Sequence, residues 1–521
     1  NGRTRGLLGQ GEIAKAVETL MQALQRQADS RLQQLLAQAL MDGLQSDFER
    51  FAPLARKIDP AIERGAFGAG YLRALAAGLK RTGRYDEAMQ VLVKLVDDQQ
   101  QPEVLERVEP SRVVRRDRWL AGQIAEVLQN APAEQRGAID RLIGDLAAKA
   151  DPQRFLSYFG EHPAANQLRL KLAQAALEGQ EKQLLRAEML WREVYRTGTA
   201  QQQREAIARL ALLLRDAKLY DDAAICFEYL RTQLADVPCL DAKTGRQLFE
   251  QLPADDPVRL RLTKPFAWPA GRAVVEYSNK REQRSQLFAM TVRWDDDRFS
   301  PLLTADVDMQ NRRIKAFDPH GRRRWELAMG EKDNQWNFIN WPDAYNLVCP
   351  VGRLAVVWLG NRVAAIDASR TEDARVLWTQ PTSKTQEQLA NLGMIFGMRM
   401  RMQPPALVAA ELPPMVANHK VVCFLQGSDL VALDPLTGQT LWRREDGALD
   451  GVLFGDEQML FLSPPDAAEA LVLRAIDGQE IGRRRVPAAR ERLWTIGRCV
   501  ATFKAGRLTM YDPWEEKTVW Q

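Results

Sequence analysis

Three histidines, five cysteines and one aspartate run are the residues whose chemistry must be weighed first. His162, His320 and His419 lie far apart in sequence, without the short spacings that bring imidazoles onto one metal. His320 falls in a turn and His419 opens a strand, so all three are expected at ordinary surface positions. Cys226, Cys239, Cys349, Cys423 and Cys499 are scattered and odd in number, with no C-x-x-C pair. They are expected as small buried residues rather than a disulfide framework or a thiolate zinc site. Asp295, Asp296 and Asp297 follow Trp294 and read as a charged hairpin turn in preference to a calcium loop. Arg322 to Arg324 and Arg483 to Arg485 read as solvated strand edges that resist aggregation, with an acidic partner as the minority reading. The basic stretch Arg115-Arg116-Asp117-Arg118-Trp119 is treated in the same way. No P-loop, G-x-S-x-G or H-E-x-x-H motif is present. No catalytic, cofactor-binding or metal-ligating residue is therefore assigned, and no cofactor is expected.

The elements around these residues are more telling. In Ala432-Leu433-Asp434-Pro435-Leu436-Thr437-Gly438-Gln439-Thr440-Leu441-Trp442, a short apolar run leads into a turn opened by Asp434-Pro435. Thr437-Gly438 closes the turn, and Gly438 supplies a positive φ at no steric cost. The chain then runs back as a second strand carrying Trp442. The pattern recurs. Ala316-Phe317-Asp318 leads through Gly321 to Trp325, Ala365-Ile366-Asp367 leads to Trp378, and Tyr511-Asp512-Pro513 leads to Trp520. A fifth copy around Asp477-Gly478 carries Gly482 where tryptophan is expected. Spacings of 53, 64, 40 and 38 residues separate positions 325, 378, 442, 482 and 520. Four-stranded blades repeat near 40 residues. The longer gaps call for insertions, one of them the Met- and Pro-rich segment 386–414. Trp325, Trp378, Trp442 and Trp520 are expected to pack between blades.

This A-x-D-x-x-T-G-x-x-x-W pattern resembles the pyrroloquinoline-quinone-like β-propeller repeat over roughly residues 300–521. The resemblance implies a propeller fold, read here as an incomplete all-β propeller of about five blades. The family includes quinoprotein alcohol dehydrogenases, which hold a quinone and calcium and often a vicinal disulfide. It also includes a non-catalytic lipoprotein of the outer-membrane β-barrel assembly machinery. No adjacent cysteines and no C-x-x-C-H haem site occur here, and the expectation is not an enzyme.

Residues 1–255 are rich in good helix formers. Tyr71 to Leu95 resembles a tetratricopeptide repeat, with Gly83 and Tyr85 at the turn and Ala88 at the close helix approach. A second copy spans Ile207 to Leu230, with Tyr220, Ala223 and Phe227 in equivalent places. Tyr85 and Tyr220 are 135 positions apart, near four 34-residue repeats. A third, weaker copy has Ala187, Trp191 and Val194, and the span 100–165 does not fit. The expected organisation is an N-terminal α-solenoid over 1–255, a Pro-rich linker over 256–272, and a propeller over 273–521 that is truncated at its C-terminus.

The 521 residues are 45 % hydrophobic and 27 % charged, with a formal net charge of +4. That balance gives no electrostatic case for nucleic acid or an anionic membrane surface. No run of 18 apolar residues is present to span a bilayer. The first residue is Asn1 rather than Met, and the chain is read as a fragment cut at both ends, from which any targeting segment would have been lost. The expected function is a non-catalytic protein–protein interaction scaffold with an unidentified protein partner. The resemblance places it in the bacterial periplasm or cell envelope. The alternatives are a quinone- and calcium-dependent dehydrogenase with its cofactor site in missing blades, or a sensor module attached to a kinase.

Overall fold

Helix-forming runs up to Thr263 and short β-branched runs beyond it become helices and antiparallel strands in the computed structural model of the chain, an α plus β organisation. The structure describes residues 12–26, 29–55, 68–98, 101–178, 182–263, 299, 304–308, 313–317, 322–328, 346–359, 362–370, 374–382, 415–447, 451–464, 466–504 and 506–521. Asp295 to Asp297, His320, the segment 386–414 and the Pro-rich linker beyond residue 263 lie outside these.

The chain forms two compact units, residues 1–104 with 116–165, and residues 105–115 with 166–521. These units do not follow the change of composition at residue 255. Two physical links cause the mismatch. Helical residues after 165 share an apolar core with the strands, and a hairpin from within the helical half is hydrogen-bonded into a distant sheet.

The first unit contains α1 (Ile13–Arg26), α2 (Ser30–Ser46), α3 (Phe48–Ala55), α4 (Gly68–Arg81), α5 (Tyr85–Asp98), α6 (Arg116–Asn130), α7 (Ala133–Lys149) and α8 (Pro152–Phe159). Tyr71, Leu72 and Leu79 on α4 are buried, as are Ala88 and Leu92 on α5, and the two helices pack together. Gly83 ends α4 at φ 73. Its N–H reaches the Lys80 carbonyl at 3.0 Å, and the Arg84 N–H reaches Leu79 at 2.9 Å. This left-handed cap satisfies carbonyls that a helix end otherwise leaves open. The Gln135 side chain then accepts from Tyr85 N–H at 2.7 Å and donates to the Gly83 carbonyl at 2.8 Å.

The second unit contains α9 (Ala165–Glu178), α10 (Leu184–Thr197), α11 (Ala200–Asp216), α12 (Tyr220–Gln233), α13 (Gly245–Glu250) and α14 (Pro257–Thr263). The α11–α12 connection repeats the α4–α5 turn. Lys218 has φ 62 and donates to Arg215 at 2.9 Å, and Leu219 donates to Leu214 at 2.8 Å. Ala223 and Phe227 are fully buried, as is Ala88.

The strands are β1 (Leu105–Glu109), β2 (Arg112–Arg115), β3 (Pro238–Leu240), β4 (Lys243–Thr244), β5 (Thr304–Asp308), β6 (Arg313–Phe317), β7 (Arg323–Ala328), β8 (Asn346–Val351), β9 (Leu354–Leu359), β10 (Arg362–Asp367), β11 (Arg375–Pro381), β12 (Met415–Ala417), β13 (Val422–Gln426), β14 (Asp429–Leu433), β15 (Thr440–Arg444), β16 (Val452–Gly455), β17 (Met459–Ser463), β18 (Glu469–Arg474), β19 (Glu480–Arg485), β20 (Arg492–Ile496), β21 (Cys499–Lys504), β22 (Arg507–Asp512) and β23 (Lys517–Trp520). Beyond residue 300 they form meandering antiparallel sheets, β5–β7, β8–β11, β12–β15, β16–β19 and β20–β23. A one-residue irregularity interrupts the last strand pair of every one of these sheets, next to Ala316, Ala365, Ala432, Val472 and Met510. A bulge at one fixed motif position re-aims the outer strand in the same way each time.

The β12–β15 sheet has two further strands. Its order is β1-β2-β15-β14-β13-β12, with Val114 opposite Trp442 and Val113 opposite Arg443. Arg107 grips Glu445 with two hydrogen bonds, 3.1 and 2.8 Å, across 338 positions of sequence. Arg112, fully covered, donates to the Asp477 carbonyl at 3.1 Å.

Candidate functional site

The motif residues explain their own spacing. Asp434 folds its side chain back over the turn and accepts from the N–H groups of Leu436 and Thr437 and from the Thr437 hydroxyl, at 3.0, 2.9 and 3.0 Å. Gly438 takes φ 69 and its N–H closes the turn onto the Asp434 carbonyl at 2.9 Å. Trp378 on β11 donates its indole N–H to the Pro435 carbonyl of this turn at 2.9 Å. Trp442 on β15 does the same to the Ala475 carbonyl of the following sheet at 2.8 Å. Ala432, opposite Trp442 in register, is buried with it. Trp325 is buried as well.

Residues from three separated stretches converge at a second place in the same unit. Glu193 and Arg196 stand on α10, His419 and Lys420 in the turn between β12 and β13, and Glu457 in the turn between β16 and β17. His419 Nε2 meets Glu193 at 2.5 Å and Nδ1 meets Glu457 at 2.7 Å. Arg196 pairs with Glu193 at 2.7 Å and also with Glu457. Burial by itself would lower the His419 pKa, but Glu193 and then Glu457 hold it above its ordinary value. Burial would raise the Glu193 carboxyl, but His419, Lys420 and Arg196 hold it well below the usual range. A cavity of about 300 Å³ opens beside the cluster, lined among others by Met189, Tyr195, Phe299, Asn418 and Gln458.

Glu193, His419 and Glu457 could each offer one ligand atom within 4.8 Å of the others. Their arrangement is nonetheless that of an ion-pair clamp. Both ring nitrogens face carboxylates, and a guanidinium occupies the remaining side of both carboxylates. While the imidazole is protonated it has no lone pair to give a metal. The clamp can fasten α10 to two strand turns.

A further buried ion cluster lies at the start of α12. Asp222 accepts from Arg324 at 2.5 Å and also from Arg353. Asp221 adds Arg261 at 2.6 Å. Burial lowers the Arg353 pKa to about 10. Apolar packing supports the same junction, since Leu185 and Met189 of α10 share a core with Leu354, Trp378, Phe424 and Val431.

Residues 310–521 match the family described as outer membrane protein assembly factor BamB. Those residues form pyrroloquinoline-quinone-like propeller blades similar to that factor's. Among solved structures, BamB from Moraxella catarrhalis is 13 % identical and covers 43 % of this chain and 58 % of its own, with a TM-score of 0.26. Sqt1 from Saccharomyces cerevisiae is 11 % identical over 42 % of this chain and 53 % of its own, with a TM-score of 0.25. Hsv2 from Kluyveromyces lactis is 9 % identical over 40 % of this chain and 57 % of its own, with a TM-score of 0.24. The matched part of this chain spans little more than half of each. No curated protein matches the sequence.

In terms of these blades, Trp378 and Trp442 each act as a staple to the turn of the next blade. Two motif positions lack a buried tryptophan. Trp520 is 44 % exposed, because no described sheet follows its own. Gly482 leaves the β16–β19 blade without a tryptophan, and Trp514, from the turn of the following blade, packs against the core of Phe454, Phe461 and Val472 in its place. Two histidines depart from the expectation. His162 is buried, with Asp140 at 3.1 Å, and His419 belongs to the clamp. Both were expected at the surface, but neighbouring carboxylates satisfy ring nitrogens that burial would otherwise strand. Arg324 leaves its basic triplet for Asp222 rather than solvent. Cys226, Cys239 and Cys423 are buried and Cys499 is partly buried, and none of the four is in a disulfide. Sequence reasoning missed Glu193, Glu457, Asp222, Arg353 and the β1–β2 hairpin. Only the hairpin left a signal, the Pro110-Ser111 turn followed by the β-branched pair Val113-Val114.

Proposed function

We propose that this chain is a non-catalytic protein–protein interaction scaffold of the bacterial cell envelope. The match of residues 310–521 to the outer-membrane assembly-factor family carries the reading. In this account the helical repeats, including the Gly83-Tyr85-Ala88 and Tyr220-Ala223-Phe227 hairpins, belong to a tetratricopeptide-like α-solenoid. The strands belong to a propeller of about five blades within this sequence. Helical repeats and blades each offer surfaces suited to peptides or helices, and joining the two gives avidity. No described helix is long and apolar enough to cross a membrane. Calorimetric titration of pyrroloquinoline quinone with calcium into the whole chain tests the reading. The scaffold account expects no saturable heat from folded protein. Saturable micromolar or tighter binding overturns it in favour of the dehydrogenase.

A further inference from the structure

The outer edge of one blade already carries an added strand. In the β12–β15 blade the outer strand, β15, pairs with β2, which belongs to a hairpin distant in sequence. The β16–β19 blade has the same turn. Gly478 N–H closes onto the Arg474 carbonyl at 2.8 Å and Arg474 N–H onto Gln479 at 2.8 Å, as Gly438 and Asp434 do with Asp434 and Gln439. β19 thus holds the place of β15. It is the terminal strand of its sheet among the described residues.

The exposed side of β19 has a definite chemistry. Val486 N–H bonds inward to the Ala468 carbonyl at 2.9 Å. Antiparallel alternation then turns the Arg484 backbone inward and the backbone groups of Arg483 and Arg485 outward. The Arg483 and Arg485 side chains, two residues apart, share one face of the strand. Both are exposed, and neither makes an ion pair among the described residues. Arg484 points to the opposite face, 4.5 Å above the Trp514 ring. A second β19 edge would oppose like charges across the new pair, which disfavours self-pairing. A strand with carboxylates at alternate positions would place them opposite Arg483 and Arg485 while its backbone completes the ladder, displacing the Arg484 guanidinium that now donates to the Arg483 carbonyl at 2.9 Å.

We infer that the β19 edge is a docking site for an extended acidic segment of a protein partner, added as a further strand as β2 is added to β15. This deepens the scaffold reading and rests on it. Main-chain hydrogen bonds supply the affinity of such strand addition, and the paired arginines select the sequence.

The test is fluorescence anisotropy of the whole chain with a labelled Ser-Glu-Val-Glu-Val-Ser peptide. Its controls are a lysine-for-glutamate peptide and a peptide N-methylated at alternate residues. The expected result is saturable binding of the acidic peptide, weakened at least about tenfold by each control and by Arg483→Glu with Arg485→Glu. The N-methylated control needs no altered protein, so it stands even if the double variant folds poorly. No binding of the acidic peptide overturns the proposal. Equal binding of the N-methylated peptide also overturns it, because charge attraction without strand addition then suffices. Neither outcome touches the scaffold reading, which fails only through quinone and calcium binding.

Discussion

The ring of Trp442 occupies the space that a side chain at Gly478 would need. A Cβ built on Gly478 would stand 2.6 Å from the ring carbon Cε3, and the Gly478 φ of 69 belongs to the left-handed region. Gly438 meets Trp378 in the same manner, with 2.5 Å to Cγ. The tryptophan of one blade and the turn glycine of the next are therefore one structural unit, split across the repeat boundary.

Trp442→Ala should cost about 3–5 kcal/mol in denaturant unfolding, the range for deleting a buried aromatic. Trp520→Ala, on a half-exposed ring, should cost less than about 1.5 kcal/mol. Equal losses at the two positions would contradict the staple. Gly478→Ala should destabilise by at least about 1 kcal/mol, since both φ and contact oppose it.

Lys218 holds the left-handed cap position that Gly83 fills in the other hairpin. Lys218→Gly should therefore raise stability, by about 0.5–1 kcal/mol, through relief of the strained φ. A lower melting temperature in calorimetry would show that the lysine side chain supplies more than the backbone loses.

The clamp around His419 sets a pH window. The raised His419 pKa gives stability that is complete below the unfolded value of 6.5 and is lost as pH rises through the folded value. The lowered Glu193 pKa gives stability that is complete above 4.5 and is lost as pH falls through the folded value. Together they are strongest between 4.5 and 6.5. Melting temperatures measured across pH should fall on the alkaline side, and His419→Gln should flatten that fall. An unchanged alkaline slope in the variant would remove His419 from the account.

Val114 and Trp442 should be energetically coupled. A double-mutant cycle of Val114→Ala and Trp442→Phe should return a coupling of at least about 0.5 kcal/mol, as expected of residues in contact. Additive losses would detach the hairpin from the blade.

The blade motif was legible because its residues solve local problems. Asp434 and Thr437 fasten a turn within four residues, and the glycine is demanded by φ. The Gly83-Tyr85-Ala88 pattern is equally local, and it transfers to Lys218, Tyr220 and Ala223 although the glycine is gone. The clamp was not legible. Glu193, His419 and Glu457 lie on three elements whose meeting is decided by packing, and a glutamate on an amphipathic helix looks the same whether it faces water or an imidazole. The two compact units were not legible for the same reason, since composition changes where helices give way to strands, not where cores end.

The β1–β2 hairpin gives synthesis a direction problem. Its strands leave the ribosome more than 300 residues before Glu445, the residue that Arg107 holds. The blade it completes cannot close until β15 has emerged, so the hairpin must wait with an unpaired edge or be shielded meanwhile. A shortened chain that starts at Asn166 keeps β12 to β15 but loses the strands that cover β15, and it trades a finished sheet for an open one. A cut at the apparent helix-to-strand boundary of the sequence leaves a different fault, because the first piece would carry a hairpin whose β2 edge has lost β15.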